Sequence, residues 1–80
     1  MQLEILTPDR KIFSGEVISV KVPGAKGQFE ILKNHAPIIS ALEPKGQVRV
    51  ITAANKTEYF DTKGGVVEVL KDQIIILTEA

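Results

Sequence analysis

The chain has 80 residues with ten acidic and ten basic side chains, and it contains no cysteine. Zero net charge without a basic cluster argues against a nucleic-acid binder and against direct docking on an anionic membrane. The lack of cysteine excludes disulfides and thiolate chemistry. Apolar residues make up 44% of this short chain, which predicts a single domain over residues 1–80 with its function on the surface rather than in a large cavity.

Targeting and membrane-spanning segments are not expected either. Met1 is followed by Gln2, Leu3 and Glu4 instead of basic residues and an apolar run, so no signal peptide is predicted. The longest apolar runs, such as residues 74–77, have four residues, whereas a membrane-spanning helix needs about 20. Any contact of the chain with a membrane is therefore expected to go through a partner.

Strand signals follow one another along the chain. Alternating polar and apolar residues, or runs of β-branched residues, predict strands at residues 2–5, 12–13, 16–22, 28–32, 36–42, 47–53, 57–61, 66–70 and 73–78. Turn residues separate these strands, including a tight turn predicted at residues 63–65 and a hairpin turn at residues 71–72. About eight to ten short strands without a helix predict an all-β fold, a flattened antiparallel β-sandwich or barrel.

Two of the predicted strands carry apolar residues on both faces, at Ile38-Ile39 and at residues 74–77. A strand with one solvated face alternates between apolar and polar side chains. These two stretches therefore lie in the core, or another protein covers one of their faces.

The four aromatic residues do not resemble a nucleic-acid platform, which interleaves exposed rings with basic side chains. Phe13, Phe29 and Phe60 fall in alternating strands and are predicted to pack in the core. Tyr59 points to the opposite side from Phe60, so its ring is expected to be exposed.

No catalytic, cofactor-binding or metal-binding residues are predicted. His35 is the only histidine and lies in a polar turn, where we expect an exposed residue or a contact with a partner. No serine has a G-x-S-x-G setting, and scattered carboxylates such as Asp9, Glu30 and Asp61 lack a metal-ligand spacing. Residues 24–27 lack the glycine spacing and the Lys-Ser/Thr pair of a phosphate-binding loop.

A protein-binding module or a lipoyl or biotinyl carrier domain is the alternative to be weighed, because carriers are β-rich, of similar length and modified on a lysine at a hairpin turn. Lys56 lies in such a turn. Its neighbours Asn55 and Thr57 differ from the residues that flank the modified lysine in carriers, which weighs against this interpretation.

Four segments in order resemble the epsilon subunit of F-type ATP synthase. Residues 12–17 (IFSGEV) are similar to FSG-x-V, and residues 27–37 (GQFEILKNHAP) to G-x-(L/F)-G-(I/V)-x-P-G-H-A-P. Residues 46–50 (GQVRV) are similar to P-G-x-(I/V)-R-(I/V), and residues 64–69 (GGVVEV) to G-G-(I/V)-x-E-V. The resemblance covers essentially the whole chain.

Three positions depart from these family patterns. Glu30 stands at a usual glycine, and Lys33 and Asn34 replace a Pro-Gly pair before His35. Asn34 tolerates the left-handed conformation that such a turn requires. Lys45 lengthens the turn before residues 46–50 by one residue.

The resemblance implies a non-catalytic subunit of the ATP synthase rotor. Such a subunit would bind the gamma subunit and the c-ring in the central stalk, at the cytoplasmic face of a bacterial plasma membrane, and would couple proton- or sodium-driven rotation to ATP synthesis. It would need no cofactor, reach the membrane only through the c-ring, and be a monomer when isolated. The chain stops about where family members continue into a helical hairpin, so the resemblance implies neither inhibition of hydrolysis nor ATP binding by such a hairpin.

Two sets of contact residues follow from the resemblance, position by position. The segment implied to face gamma comprises His35, Ala36, Pro37, Ile38 and Ser40. The segment implied to face the c-ring comprises Gly24, Ala25, Lys26, Gly27, Gln28 and Glu30.

Overall fold

A computed structural model describes residues 1–79 of the chain, and these residues form seven strands and no helix. The strands are β1 (Gln2–Leu6), β2 (Lys11–Gly24), β3 (Gly27–Ile31), β4 (Ile38–Ala41), β5 (Gly46–Thr52), β6 (Thr57–Leu70) and β7 (Gln73–Glu79). The all-β prediction is therefore confirmed.

The strands pair as two layers that share their long members. One layer has the order β4, second half of β6, β7, β1 and first half of β2. The other has the order first half of β6, β5, second half of β2 and β3. All ladders are antiparallel except the one between β1 and β7, which is parallel. The body measures 27 × 24 × 18 Å, which is the flattened sandwich that the sequence predicts.

Strands β2 and β6 each have 14 residues and cross from one layer to the other. Each therefore replaces two of the short predicted strands, and counting their halves separately gives nine segments. The tight turn predicted at residues 63–65 is wrong, because β6 continues through this segment with a register shift between Lys63 and Val66. The shift is a bulge, a device that bends a strand without ending it.

The bulge in β6 depends on Gly65. This residue has a φ of 107°, and a Cβ atom built on it would lie 1.9 Å from the carbonyl oxygen of Leu77 on β7. Only glycine combines this backbone conformation with so close an approach of two strands. The glycine pair from which the sequence predicts a turn therefore lets one strand serve both layers.

Alternating side chains from both layers meet in one apolar core. The fully buried aliphatic residues include Leu3, Ile5, Val20, Val22, Ile31, Val48, Val50, Val67, Ile74 and Ile76. Phe13, Phe29 and Phe60 pack against this core, and the rings of Phe13 and Phe60 meet edge to face with centroids 5.5 Å apart. Tyr59 is 60% exposed, so both expectations for the aromatic residues are confirmed.

Candidate functional site: an apolar outer face and an adjoining turn

The short strand β4 pairs with β6 on one side only, and the register fixes which of its side chains point outward. Ile39 lies opposite Glu68, whereas Ile38 lies opposite the buried Val69. Because side chains alternate along a strand, Ile38 and Ser40 face the core and Ile39 and Ala41 face solvent. Ile38 packs against the core, and Ile39 is 71% exposed.

Apolar side chains continue outward from Ile39 across β6 and β7 to β1. Val66 lies opposite Leu77, which in turn pairs with Leu6, and Ile75 lies between Glu68 and Glu4. We call this surface the apolar outer face, and its members are Leu6, Ile39, Val66, Leu70, Ile75 and Leu77. Three of them are among the most exposed large apolar residues of the described chain: Ile39 at 71%, Leu70 at 57% and Leu77 at 47%.

Two shallow hollows mark this face. One, of about 430 Å³, lies between β4 and β6 and is lined by Ile39 and Leu70. The other, of about 390 Å³, lies over β6 and β7 and is lined by Leu6, Val66 and Leu77. Soluble proteins rarely leave a contiguous apolar surface of this kind uncovered without a function.

None of the residues implied to face gamma is a member of this face, although Pro37 and Ile38 line one of its hollows. Ala36 and Pro37 are exposed, His35 and Ser40 are half-buried, and Ile38 is turned toward the core. The side chain that β4 presents most fully is instead Ile39, which the sequence resemblance did not single out. The doubly apolar pair Ile38-Ile39 was a signal for an interface, but the pair alone does not say which member faces out.

The turn before β4 holds His35 by local bonds. Its amide donates a hydrogen bond to the carbonyl of Leu32 at 3.1 Å, and Nδ1 lies 2.6 Å from the carbonyl oxygen of Ala36. The ring stands 6.3 Å from that of Phe29, measured between centroids. Asn34 has a φ of 68°, so it adopts the left-handed conformation predicted for it.

The residues implied to face the c-ring mostly form the turn between β2 and β3, which we call the β2–β3 turn (residues 24–28). Ala25, Lys26, Gly27 and Gln28 are exposed there, whereas Gly24 is buried. A Cβ atom on Gly24 would lie 2.6 Å from the carbonyl oxygen of Gly27. The turn is therefore narrow at its base, and it presents the side chains of Lys26 and Gln28 beside exposed backbone.

Backbone hydrogen bonds tie the β2–β3 turn to the segment that follows β4. The amide of Ala25 donates to the carbonyl of Ala41 at 2.9 Å, and the amide of Glu43 donates to the carbonyl of Pro23 at 2.8 Å. An isolated bridge joins Gly24 to Leu42. The two candidate contact regions are consequently direct neighbours that share hydrogen bonds.

Glu30 lies away from the tip of this turn, on the solvent face of the β2–β3–β5 layer. Its Oε2 accepts a hydrogen bond from Ser19 Oγ at 2.5 Å and pairs with the Arg49 guanidinium at 2.7 Å. The bond from Ser19, followed by the bond and charge of Arg49, lowers the pKa of the Glu30 carboxyl below its ordinary value of 4.5, against the opposing effect of partial desolvation. Glu30 is thus already engaged within the chain.

A polar groove of about 630 Å³ lies beside this ion pair, lined by residues that include Lys21, Lys45, Arg49 and Tyr59. Within residues 1–79 no group of three or more potential metal ligands comes together. Over the same residues, no helix has the length and apolar character to cross a membrane.

The four sequence segments and the bulged sandwich point to one family. The sequence profile described as "ATP synthase, Delta/Epsilon chain, beta-sandwich domain" matches residues 1–80. The chain belongs to this family. Epsilon chains are non-catalytic subunits, so the prediction that this epsilon-type chain is not an enzyme is confirmed. Membership of this family also argues against a carrier domain modified on Lys56.

Curated relatives of this epsilon-type chain fall into two length classes. It is 44% identical over 78 residues to the ATP synthase epsilon chain of Chlorobium limicola, covering 98% of this chain and 88% of that protein. It is 42% identical over 78 residues to the epsilon chain of Dichelobacter nodosus, covering 98% of this chain but 54% of that protein. The chain therefore spans most of the length of some relatives and about half of others.

Solved structures share the fold. A chain of the Euglena gracilis mitochondrial ATP synthase matches with a TM-score of 0.89 and 22% identity, over 98% of this chain and 49% of that chain. A chain of the Tetrahymena thermophila mitochondrial ATP synthase, from a structure of its central stalk and c-ring, matches with a TM-score of 0.79 and 18% identity, over 100% of this chain and 63% of that chain. The epsilon-type β-sandwich predicted from sequence is confirmed.

Proposed function

We propose that this chain is a coupling subunit of the ATP synthase rotor. It binds the gamma subunit through the apolar outer face next to β4, and it contacts the c-ring through the β2–β3 turn. The observation that carries the proposal is the exposure of Ile39, Leu70 and Leu77 on one continuous surface. The chain performs no chemistry of its own and transmits rotation from the ring to gamma.

The apolar outer face has the character of a long-lived interface. Burying an exposed aliphatic side chain contributes roughly 1.5–3 kcal/mol when removal from water is complete. Glu68 lies among the apolar residues, opposite Ile39 on one side and Ile75 on the other, and provides one charged group for register. An apolar centre around Glu68, with the ion pair of Glu4 and Lys11 at its margin, suits a protein partner better than it suits bulk solvent.

Transmission of torque requires a body that does not shear between its two contacts. Strands β1, β7, β6, β5 and β2 form a closed circuit of ladders, since β1 also pairs with β2. Movement of one strand in such a circuit stretches hydrogen bonds in all the others. The shared strands β2 and β6 also leave no hinge between the two layers.

The cellular placement follows from the same proposal. The Tetrahymena thermophila relative is seen with a central stalk and a c-ring, and we infer the same surroundings for this chain. In a bacterium the chain would lie at the cytoplasmic face of the plasma membrane and reach the membrane only through the ring. The apolar outer face would then be covered in the complex, and the isolated chain would be a monomer.

Co-purification tests the proposal as a whole. An affinity-tagged form of the full chain, expressed with gamma and the c-ring subunit of the same organism, should retain both, and should retain gamma when the ring is omitted. Recovery of the tagged chain alone, although it is folded and monomeric by sedimentation, would refute the assignment of these partners.

A further inference from the structure

The free edge of β4 has backbone groups that no part of the described chain satisfies. Leu42 donates its N–H to Gly65 on β6, while the Ala41 carbonyl accepts from Ala25 on the opposite side. In an antiparallel ladder, successive residues direct both of their backbone groups to alternate sides. The N–H and C=O of Ile39 therefore point away from β6, toward the open edge of the layer.

Proteins protect an unpaired strand by keeping it short, by charged side chains, proline or bulges, or with a covering segment. Of these features, β4 has its short length of four residues and the preceding Pro37, but neither a charge nor a bulge. The other edges all carry charge: β3 has Glu30, the first half of β6 has Glu58, and the first half of β2 has Glu16. Of these four edges, only that of β4 is uncharged, and it presents the exposed Ile39.

We infer that β4 is extended by a strand of a partner protein, which pairs with the backbone of Ile39. The inference rests on the proposed function and commits to one occupant, an extended segment of the gamma subunit that adds a sixth strand to this layer, beyond β4. Main-chain bonds supply the pairing, and an apolar side chain of that segment packs against Ile39 above the hollow shared with Leu70. The added ladder is short, because the Ala41 carbonyl already accepts a hydrogen bond from the Ala25 amide.

This geometry explains why exposure and backbone availability coincide at one residue. Ile39 offers a side chain that is 71% exposed together with an N–H and a C=O that have no partner among residues 1–79. Ser40, its neighbour, has its backbone committed to Val67 on β6 and its side chain half-buried. A partner that merely covered the outer face would have no need of the edge groups, so the two modes of binding predict different sensitivities.

An amide-to-ester replacement separates the two modes, since it removes one N–H and keeps the side chain. The full chain is made by chemical synthesis with the Ile39 N–H replaced by an ester oxygen. We expect its affinity for purified gamma, measured by calorimetry, to fall roughly three- to tenfold. The matched control carries the same ester at Ile38, whose N–H is directed to Val69 on β6, so that both edge groups of Ile39 stay intact. It should lower the thermal stability and leave the gamma affinity of the folded chain within about twofold.

Hydrogen exchange supplies the second readout. The Ile39 amide should exchange rapidly in the isolated chain and at least roughly a hundred times more slowly in the gamma complex. If Ile39→Asp abolishes binding, while the ester leaves the affinity unchanged and the Ile39 amide exchanges equally fast in the complex, gamma covers the face without strand pairing. That result refutes the strand pairing and leaves the proposed gamma site standing. If neither Ile39→Asp nor the ester alters binding, the proposed gamma site fails as well. Protection of Ile39 that rises with concentration of the isolated chain would assign the edge to a second copy and overturn the choice of gamma.

Discussion

The amide of Ala25 donates a hydrogen bond to the carbonyl of Ala41 over 2.9 Å. This bond links the tip of the β2–β3 turn to the end of β4, although the two residues are far apart in sequence. In the proposed function it joins the region that meets the c-ring to the region that meets gamma. A load on either region is passed to the other through the backbone rather than through flexible side chains.

Because Ile38 faces the core and Ile39 faces solvent, the same truncation should have effects of different size at the two positions. Ile38→Ala should lower the free energy of unfolding by about 1–2 kcal/mol, because a half-buried side chain leaves the core. Ile39→Ala should change it by less than about 0.5 kcal/mol, because most of that side chain is already in water. Denaturant unfolding of the two variants decides the matter, and equal losses would mean that the register of β4 is different.

Gly65 lies in the β6 bulge, and Gly27 in the β2–β3 turn serves as its control position. Both have positive φ values, 107° and 127°, but only at Gly65 would a Cβ atom meet backbone, whereas at Gly27 nothing lies within 4 Å. Gly65→Ala should therefore cost at least about 2 kcal/mol more than Gly27→Ala. Thermal unfolding measures this difference. Similar costs at the two positions would show that conformational preference alone, not the approach of Leu77, requires glycine in β6.

The Glu30 carboxylate predicts a pH-dependent contribution to stability. Its pKa is lowered in the folded chain, so the contribution is present above the ordinary value of 4.5 and is lost as the pH falls through the folded-state pKa. The wild type should unfold at a higher temperature than Glu30→Gln at about pH 7, and this gap should narrow as the pH falls below 4.5.

Glu58→Gln serves as the control for that series, because Glu58 is exposed and makes no ion pair among residues 1–79. Its effect on the unfolding temperature should be small at both ends of the range. A gap between wild type and Glu30→Gln that stays constant with pH would mean that the Ser19 and Arg49 contacts do not stabilise the ionised form.

The absence of cysteine from the chain allows single-cysteine cross-linking to test the c-ring contact. Lys26→Cys, with a short photoactivatable reagent, should cross-link to the ring in the assembled complex. Lys56→Cys should not, because the β5–β6 turn lies at the opposite end of the β2–β5 ladder. Equal cross-linking from both positions, or cross-linking from Lys56→Cys alone, would place the ring elsewhere.

Much of the fold was predictable because its physical basis is local. Alternation of apolar and polar residues identified the strands, and the ordered motifs identified the epsilon family. The breaks predicted at residues 14–15 and 63–65 are inside strands, because glycine marks both turns and bulges and only the partner strand distinguishes them. Leu77, the residue that makes glycine necessary at position 65, is 12 residues further along the chain.

The candidate site was predictable as a segment but not as a set of side chains. Ile38 and Ile39 are both isoleucine, so alternation places them on opposite faces but cannot say which one faces the core without the register. That register is set by long-range bonds such as the one from Leu42 to Gly65. Glu30 was likewise grouped with the turn, because its partner Arg49 lies 19 residues away and meets it across β2.

The most direct test of the proposed function is the affinity of the Ile39→Asp variant for purified gamma. Ile39→Asp should weaken binding at least roughly tenfold, since it places an unpaired charge in an apolar interface. Ile18→Asp introduces the same charge at an isoleucine that is 48% exposed on β2, outside the apolar outer face, and should bind within about twofold of the wild type. Unchanged affinity of Ile39→Asp, or equal loss in both variants, would contradict the assignment of the apolar outer face to gamma.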